Sequence, residues 1–119
     1  MRTGVIPLIL RILSAKSRTT GSKRFFSAVP TTPSGGFCRK YGVLVISDEI
    51  HCDFAFPDHP HSIFLRANPE LAEQAVVCTA PSKTFNLAGL QASNIWIPGR
   101  EIRERFCRTL HRSGCSELN

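Results

Sequence analysis

Apolar residues gather along this chain in short unbroken runs. Val43–Ile46 is four β-branched or leucine residues in succession, opened by Gly42 and closed by Ser47-Asp48-Glu49. A continuous apolar run with such boundaries predicts a strand buried on both faces, as in the parallel sheet of an α/β protein. Ala75–Thr79 predicts a second buried strand and runs almost directly into Pro81-Ser82-Lys83. Leu90–Ile97, with Trp96 and two isoleucines, predicts a third, ended by Pro98-Gly99.

Elsewhere the period is helical. Ile102, Phe106 and Leu110 recur every four positions between Arg100 and Arg112, which sets one apolar face on a helix. The other face is rich in arginine, with Glu101 and Glu104 spaced to pair with Arg105 and Arg108. Phe37–Tyr41 reads as the last turn of a helix, stopped by Gly42 where a left-handed residue is needed. Residues 54–69, with Pro57, Pro60 and Pro69, read as a loop, and Asn68-Pro69-Glu70 as the start of a short helix capped by Asn68. Thr19–Gly36 holds turn formers and polar residues with no sustained period. The expected organisation is therefore a disordered N-terminal head over 1–36 and a folded α/β part over 37–119.

A length of 119 residues, 42% of them hydrophobic and 20% charged, suits one modest globular domain. The net charge of +6 raises the question of nucleic acid, but its distribution answers it. Residues 1–47 hold eight basic and no acidic side chains, leaving seven basic and nine acidic for 48–119. A folded nucleic-acid binder carries its basic patch on the domain, interleaved with aromatics, so no nucleic-acid partner is expected. Val5–Leu13 is apolar but broken by Pro7 and Arg11, and far shorter than the roughly 20 residues that cross a bilayer. No membrane segment is expected, although the acid-free head resembles a mitochondrial leader. Cys38, Cys52, Cys78, Cys107 and Cys115 form no CxxC pair and read as reduced thiols of a cytoplasmic protein. Cys52 with His51, His59 and His61 matches no zinc spacing, so no metal is expected.

Candidate chemistry centres on Lys83, which has no other lysine after Lys40 for company. A lysine in a turn is ordinarily a solvated charge. Asp48, 35 positions earlier, changes that reading, because it closes a buried strand. In open α/β sheets ligands bind outside the carboxyl ends of the strands.

Two stretches, VLVISDEIHCDF and CTAPSKTFNLAGLQASNIWIP, make the sequence similar to the pyridoxal-phosphate-dependent C–S lyases of the cystathionine β-lyase type, within the class I/II aminotransferase superfamily. The resemblance covers about residues 37–119 and includes the helix IRERFCRTLHRSG. It implies a partial large domain of the fold-type-I transferase fold, a mostly parallel sheet with flanking helices. It also implies that Lys83 holds pyridoxal 5′-phosphate as an imine and that Asp48 pairs with the pyridine nitrogen, favouring its protonated form. His51 takes the place of a group near the phenolic oxygen, and Ser82 that of a phosphate-binding hydroxyl. Asn86 and Gly89 are read as shaping the turn after the lysine. In intact relatives the lysine, once displaced by a substrate amine, acts as general base on the α-proton. Loss of a thiolate from the β-carbon then gives thiol, ammonia and pyruvate. An aminotransferase outcome and a truncated, non-catalytic interaction protein are the alternatives.

The resemblance also implies an amino-acid substrate and, for full-length relatives, a homodimer. Members of the family further use a glycine-rich phosphate segment, an aromatic ring stacked on the cofactor and a carboxylate-binding arginine, none of which is matched here. This chain alone is therefore expected to be inactive or nearly so.

An asparagine-proline element in a context such as CSPHNPVGR precedes the helix in these relatives and has no counterpart here. Ser27–Gly36, SAVPTTPSGG, is nonetheless compatible with codons that spell that peptide in a shifted frame, with Phe25 and Phe26 becoming leucines. The head is thus expected to be an out-of-frame translation of the missing element, followed by loss of the next dozen or so residues before the frame recovers near Phe37. Sequencing the transcript tests this: the shifted frame should encode the peptide, and a frame that does not would refute the idea.

Overall fold

The two runs read as buried strands are neighbours at the centre of a four-stranded sheet. The computed structural model of the chain describes residues 25–28 and 35–113. The leader-like run Val5–Leu13, most of the head and residues 114–119 lie outside the described residues. The strands are β1 (Phe25–Ala28), β2 (Leu44–Asp48), β3 (Ala75–Thr79) and β4 (Asn94–Trp96), in the order β1-β2-β3-β4. β1 and β3 pair with β2 in parallel, and β4 pairs with β3 antiparallel. Helix α1 (Gly35–Tyr41) precedes β2, a single turn α2 (Phe64–Ala67) and a 3₁₀ turn (Pro69–Gln74) precede β3, and α3 (Arg100–Arg112) follows β4.

Alternation along the strands divides the core in two. Leu44, Ile46, Val76 and Cys78 face α3, where Phe106 is buried against them with Ile97, flanked by Ile95, Ile102 and Leu110. Val43, Val45, Ala75 and Val77 face the opposite way, against Cys38 of α1, Phe64 of α2 and Leu71 of the 3₁₀ turn. A sheet covered on both sides explains why β2 and β3 read as continuous apolar runs. The face of α3 expected from its period of four is the face that packs.

The entry into β2 is set by Gly42. Its φ of +58° is left-handed, Val43 N–H donates to the Cys38 carbonyl at 2.9 Å and Gly42 N–H to that of Arg39 at 3.4 Å. This double closure satisfies the last carbonyls of α1 and turns the chain into the sheet. At the other end of the fold, α3 starts against the 3₁₀ turn. A Cβ on Gly99 would lie 2.4 Å from the Glu73 carbonyl oxygen, a backbone atom with no rotamer to give way.

The long connection from β2 to β3 is fastened by Glu49, which is only 3% exposed. Its Oε1 accepts the Phe64 N–H at 3.0 Å and the Ser47 hydroxyl at 3.2 Å, and its Oε2 lies 3.0 Å from His61 Nε2. A buried carboxylate is tolerable when donors surround it. These three draw both ends of the intervening loop onto one face of β2.

Several expectations are corrected. The head is not structureless throughout: Phe25–Ala28 forms β1 and α1 begins at Gly35. β2 would otherwise present an unpaired backbone edge, and four residues are too few to show a period in sequence. The third strand is shorter than expected, because Ala88–Leu90 forms a 3₁₀ turn and Gln91, at φ +51°, breaks the extended run. The stretch 54–69 is not all loop, since Phe64 finds a buried site and α2 forms around it. Asn68 makes no side-chain cap; its Nδ2 donates back to the Phe64 carbonyl at 3.1 Å. On α3, Glu104 pairs with Arg100 at 2.8 Å rather than with Arg108. Among the described residues no helix is long and apolar enough to cross a membrane, and no group of three or more His, Cys, Asp or Glu side chains is placed to hold a metal ion.

Four substitutions test this packing by chemical denaturation. Gly99→Ala should destabilise by about 2 kcal/mol, the usual scale for forced overpacking. Gly36→Ala, where nothing lies within 4 Å of the added carbon, should be neutral or slightly stabilising. Glu49→Ala strands three donors and should cost about 3 kcal/mol. Glu49→Gln keeps an acceptor for Phe64 N–H and should cost clearly less; equal losses for the two would show that the carboxylate is not what fastens the loop.

Candidate active site

Parallel pairing brings the ends of β2 and β3 side by side. Asp48, the last residue of β2, is in register with Cys78 of β3, and its half-buried side chain lies on the sheet face opposite to Glu49. Asp48 Oδ1 accepts the Ile50 N–H at 3.2 Å, a local turn that fixes the carboxylate at the strand end. No hydrogen bond or ion pair to Oδ2 is found among the described residues.

Beyond β3 the chain folds into a tight turn. Phe85 N–H donates to the Pro81 carbonyl at 3.0 Å and Leu87 N–H to that of Ser82 at 3.1 Å. Asn86 takes a left-handed φ of +54°, which its short polar side chain tolerates. The expected turn-shaping role of Gly89 is not seen: it lies inside the 3₁₀ turn without a positive φ. Lys83 rides on this turn, exposed and without a hydrogen bond or ion pair among the described residues. Ser82 beside it is half-buried. His51 is exposed on the turn after Asp48, its ring edge-on to Phe54 at 5.9 Å between centroids.

Sequence reasoning passed over three side chains here. Thr84 Oγ1 donates to Asp53 Oδ2 at 2.5 Å, joining the turn after β3 to the turn after β2. Glu49 carried a usable signal, since a period of two puts it on the same face as Val45 and Ser47, under the helices, where an acid must find donors. For Asp53 and Thr84 there was none, because 31 positions separate them.

The thiols nearby are unreactive acids. Burial first, then the carboxylates of Asp48 and Glu49, pushes Cys78 up to about 12. Burial and then Asp53 raise Cys52 as well. Both stay protonated at neutral pH, so neither is a ready nucleophile. A hollow of about 720 Å³ opens beside β4, lined by Ile63, Val77, Thr79, Trp96 and Arg103 among others. Neither Asp48 nor Lys83 lines it.

The donor set fits a small molecule with a carbonyl group and a basic ring nitrogen. An exposed primary amine in the turn after β3 and a carboxylate oxygen without a partner among the described residues at the end of β2 follow the carboxyl ends of adjacent parallel strands, where α/β proteins bind ligands.

Residues 36–111 match the family model for aminotransferase class I and II. The chain is 45% identical over 98 residues to the cystathionine β-lyase PatB of Bacillus subtilis, covering 82% of this chain and 25% of that protein. It resembles the crystal structure of cystalysin from Treponema denticola, which contains pyridoxal 5′-phosphate, with a TM-score of 0.65 and 30% identity over 88% of this chain and 29% of that one. A pyridoxal-phosphate-bound C–S lyase from Staphylococcus hominis gives a TM-score of 0.64 at 25% identity, over 85% of this chain and 27% of that one. The chain thus spans about a quarter of the length of the relatives it matches. With the family model matching most of its described residues, the chain belongs to the class I and II aminotransferase family, a family of pyridoxal-phosphate-dependent enzymes.

Proposed function

We propose that this chain is part of the cofactor-binding domain of a pyridoxal-phosphate-dependent C–S lyase, with Lys83 and Asp48 as its two principal cofactor contacts. The observation that carries the reading is their placement: Asp48 closes β2, Lys83 lies exposed in the turn that follows its parallel neighbour β3, and among the described residues neither the Lys83 amine nor Asp48 Oδ2 has a hydrogen-bond or ion-pair partner. Lys83 would hold the cofactor through its aldehyde group. Asp48 would accept a hydrogen bond from the protonated pyridine nitrogen, and a carboxylate there would keep that nitrogen charged. The bound cofactor supplies an electron sink for the substrate's α-carbon. His51 is assigned to the side of the phenolic oxygen and Ser82 to the phosphate.

The Lys83 amine, when not engaged with the cofactor, would be the base that removes the substrate's α-proton. Elimination from a cysteine S-conjugate or cystathionine, with uptake of one water, would then give thiol, ammonia and pyruvate. The lyase reading is preferred because identity to PatB, at 45%, exceeds the 30% to the aspartate aminotransferase of Geobacillus stearothermophilus. Transamination is the second reading. The full-length protein is assigned an amino-acid substrate and a homodimeric state. Its place is taken to be the cytoplasm, in keeping with the free thiols of Cys38, Cys52, Cys78 and Cys107.

Incubating the purified chain with pyridoxal phosphate should produce an imine absorption band that Lys83→Ala abolishes and Asp48→Ala shifts; a band that survives Lys83→Ala sinks the assignment. Turnover by this chain alone should be negligible. In a protein restored to full length, pyruvate release from cystathionine supports the lyase, and keto-acid exchange without pyruvate supports the aminotransferase.

A further inference from the structure

We infer that Asp53 is a positioning residue, which acts through its hydrogen bond to Thr84 to hold the Lys83 turn against the turn that carries Asp48. The inference rests on the reading of Lys83 and Asp48 as cofactor contacts.

Each turn is internally closed. After β2, Asp48 Oδ1 takes the Ile50 N–H, Cys52 N–H reaches the Glu49 carbonyl at 3.0 Å and Phe54 N–H that of His51 at 3.0 Å. After β3, the Pro81–Phe85 and Ser82–Leu87 bonds make a second closed unit. Strand pairing sets where the two units begin: Asp48 is opposite Cys78, and the last bond between the strands runs from Glu49 N–H to the Cys78 carbonyl at 2.8 Å. Lys83 lies five residues beyond that point, so strand pairing alone leaves its turn free to tilt. Thr84, the next residue, supplies the connection, an O–H donor on a carboxylate oxygen at 2.5 Å. Bonds of this charge-assisted kind are the short, directional ones.

The pair is solvent-exposed, so its contribution to global stability is small. Placement is another matter, because an amine displaced by about 1 Å from its reacting partner loses on the order of a hundredfold in rate. Glu49 anchors the same loop from the buried side. The loop is therefore held to the sheet at one end and holds the lysine turn at the other.

The test uses the whole chain with pyridoxal phosphate as the probe. Imine formed at each cofactor concentration is reduced with borohydride, mapped to its residue by mass spectrometry, and followed by absorbance against pH. Thr84→Val removes the donor without changing charge, Asp53→Ala removes the acceptor, and Thr84→Ser keeps the hydroxyl. Thr84→Val and Asp53→Ala should each need about tenfold more cofactor for half-maximal labelling of Lys83, equivalent to roughly 1.4 kcal/mol. Both should also move the midpoint pH of the imine band, while melting temperatures stay within a few degrees of the parent and Thr84→Ser restores parental labelling. Parental labelling and midpoint in both Thr84→Val and Asp53→Ala would overturn the positioning role alone. Absence of labelling at Lys83 in the parent chain would overturn the functional reading and this inference with it.

Discussion

A parallel strand pair buried on both faces has almost no place for a polar side chain except where the strands stop, and β2 with β3 is such a pair. Val45, Ile46, Ala75 and Val76 are at most 1% exposed. The rest of the described structure follows from covering those two faces. α3 lies over one, while α1, α2 and the 3₁₀ turn lie over the other. Polar residues are displaced to the carboxyl ends, and the end of β2 with the two turns that leave β2 and β3 carries every side chain assigned to the cofactor.

Asp48 and Glu49 show how one residue of register separates a side chain that fastens the fold from one left at the strand end. Adjacent in sequence and alike in charge, they point to opposite faces. Glu49 enters the covered face, where desolvation must be offset by donors, and Ser47, His61 and Phe64 meet it. Asp48 stands half-buried at the strand end with one oxygen in a local turn and the other without a hydrogen-bond or ion-pair partner among the described residues. A one-residue slip of β2 would exchange them and destroy both arrangements.

The described part also leaves much apolar surface uncovered. Phe54, Phe56, Phe85, Leu90 and Trp96 are each more than 60% exposed, and the outer edges of β1 and β4 have no strand partner in the sheet. For a segment spanning about a quarter of its relatives' length, those are surfaces that further sheet and helix would occupy. Unpaired edges and exposed aromatics favour self-association in isolation.

The sequence by itself determined what depends on local pattern. The buried runs marked β2 and β3, the period of four marked α3 and its packing face, and Gly42 marked the stop of α1, because each is written in neighbouring residues. The assignment of Lys83 and Asp48 to one site came only through likeness to a family, since no local rule links residues 35 positions apart. Tertiary structure alone decided the rest: that Phe25–Ala28 completes an edge of β2, that α3 needs a glycine against Glu73, that Glu49 is buried among donors while Asp48 stays half-buried at the strand end, and that Asp53 meets Thr84. Those outcomes turn on burial and on contacts between distant segments, and such contacts exist only once β2 and β3 have paired.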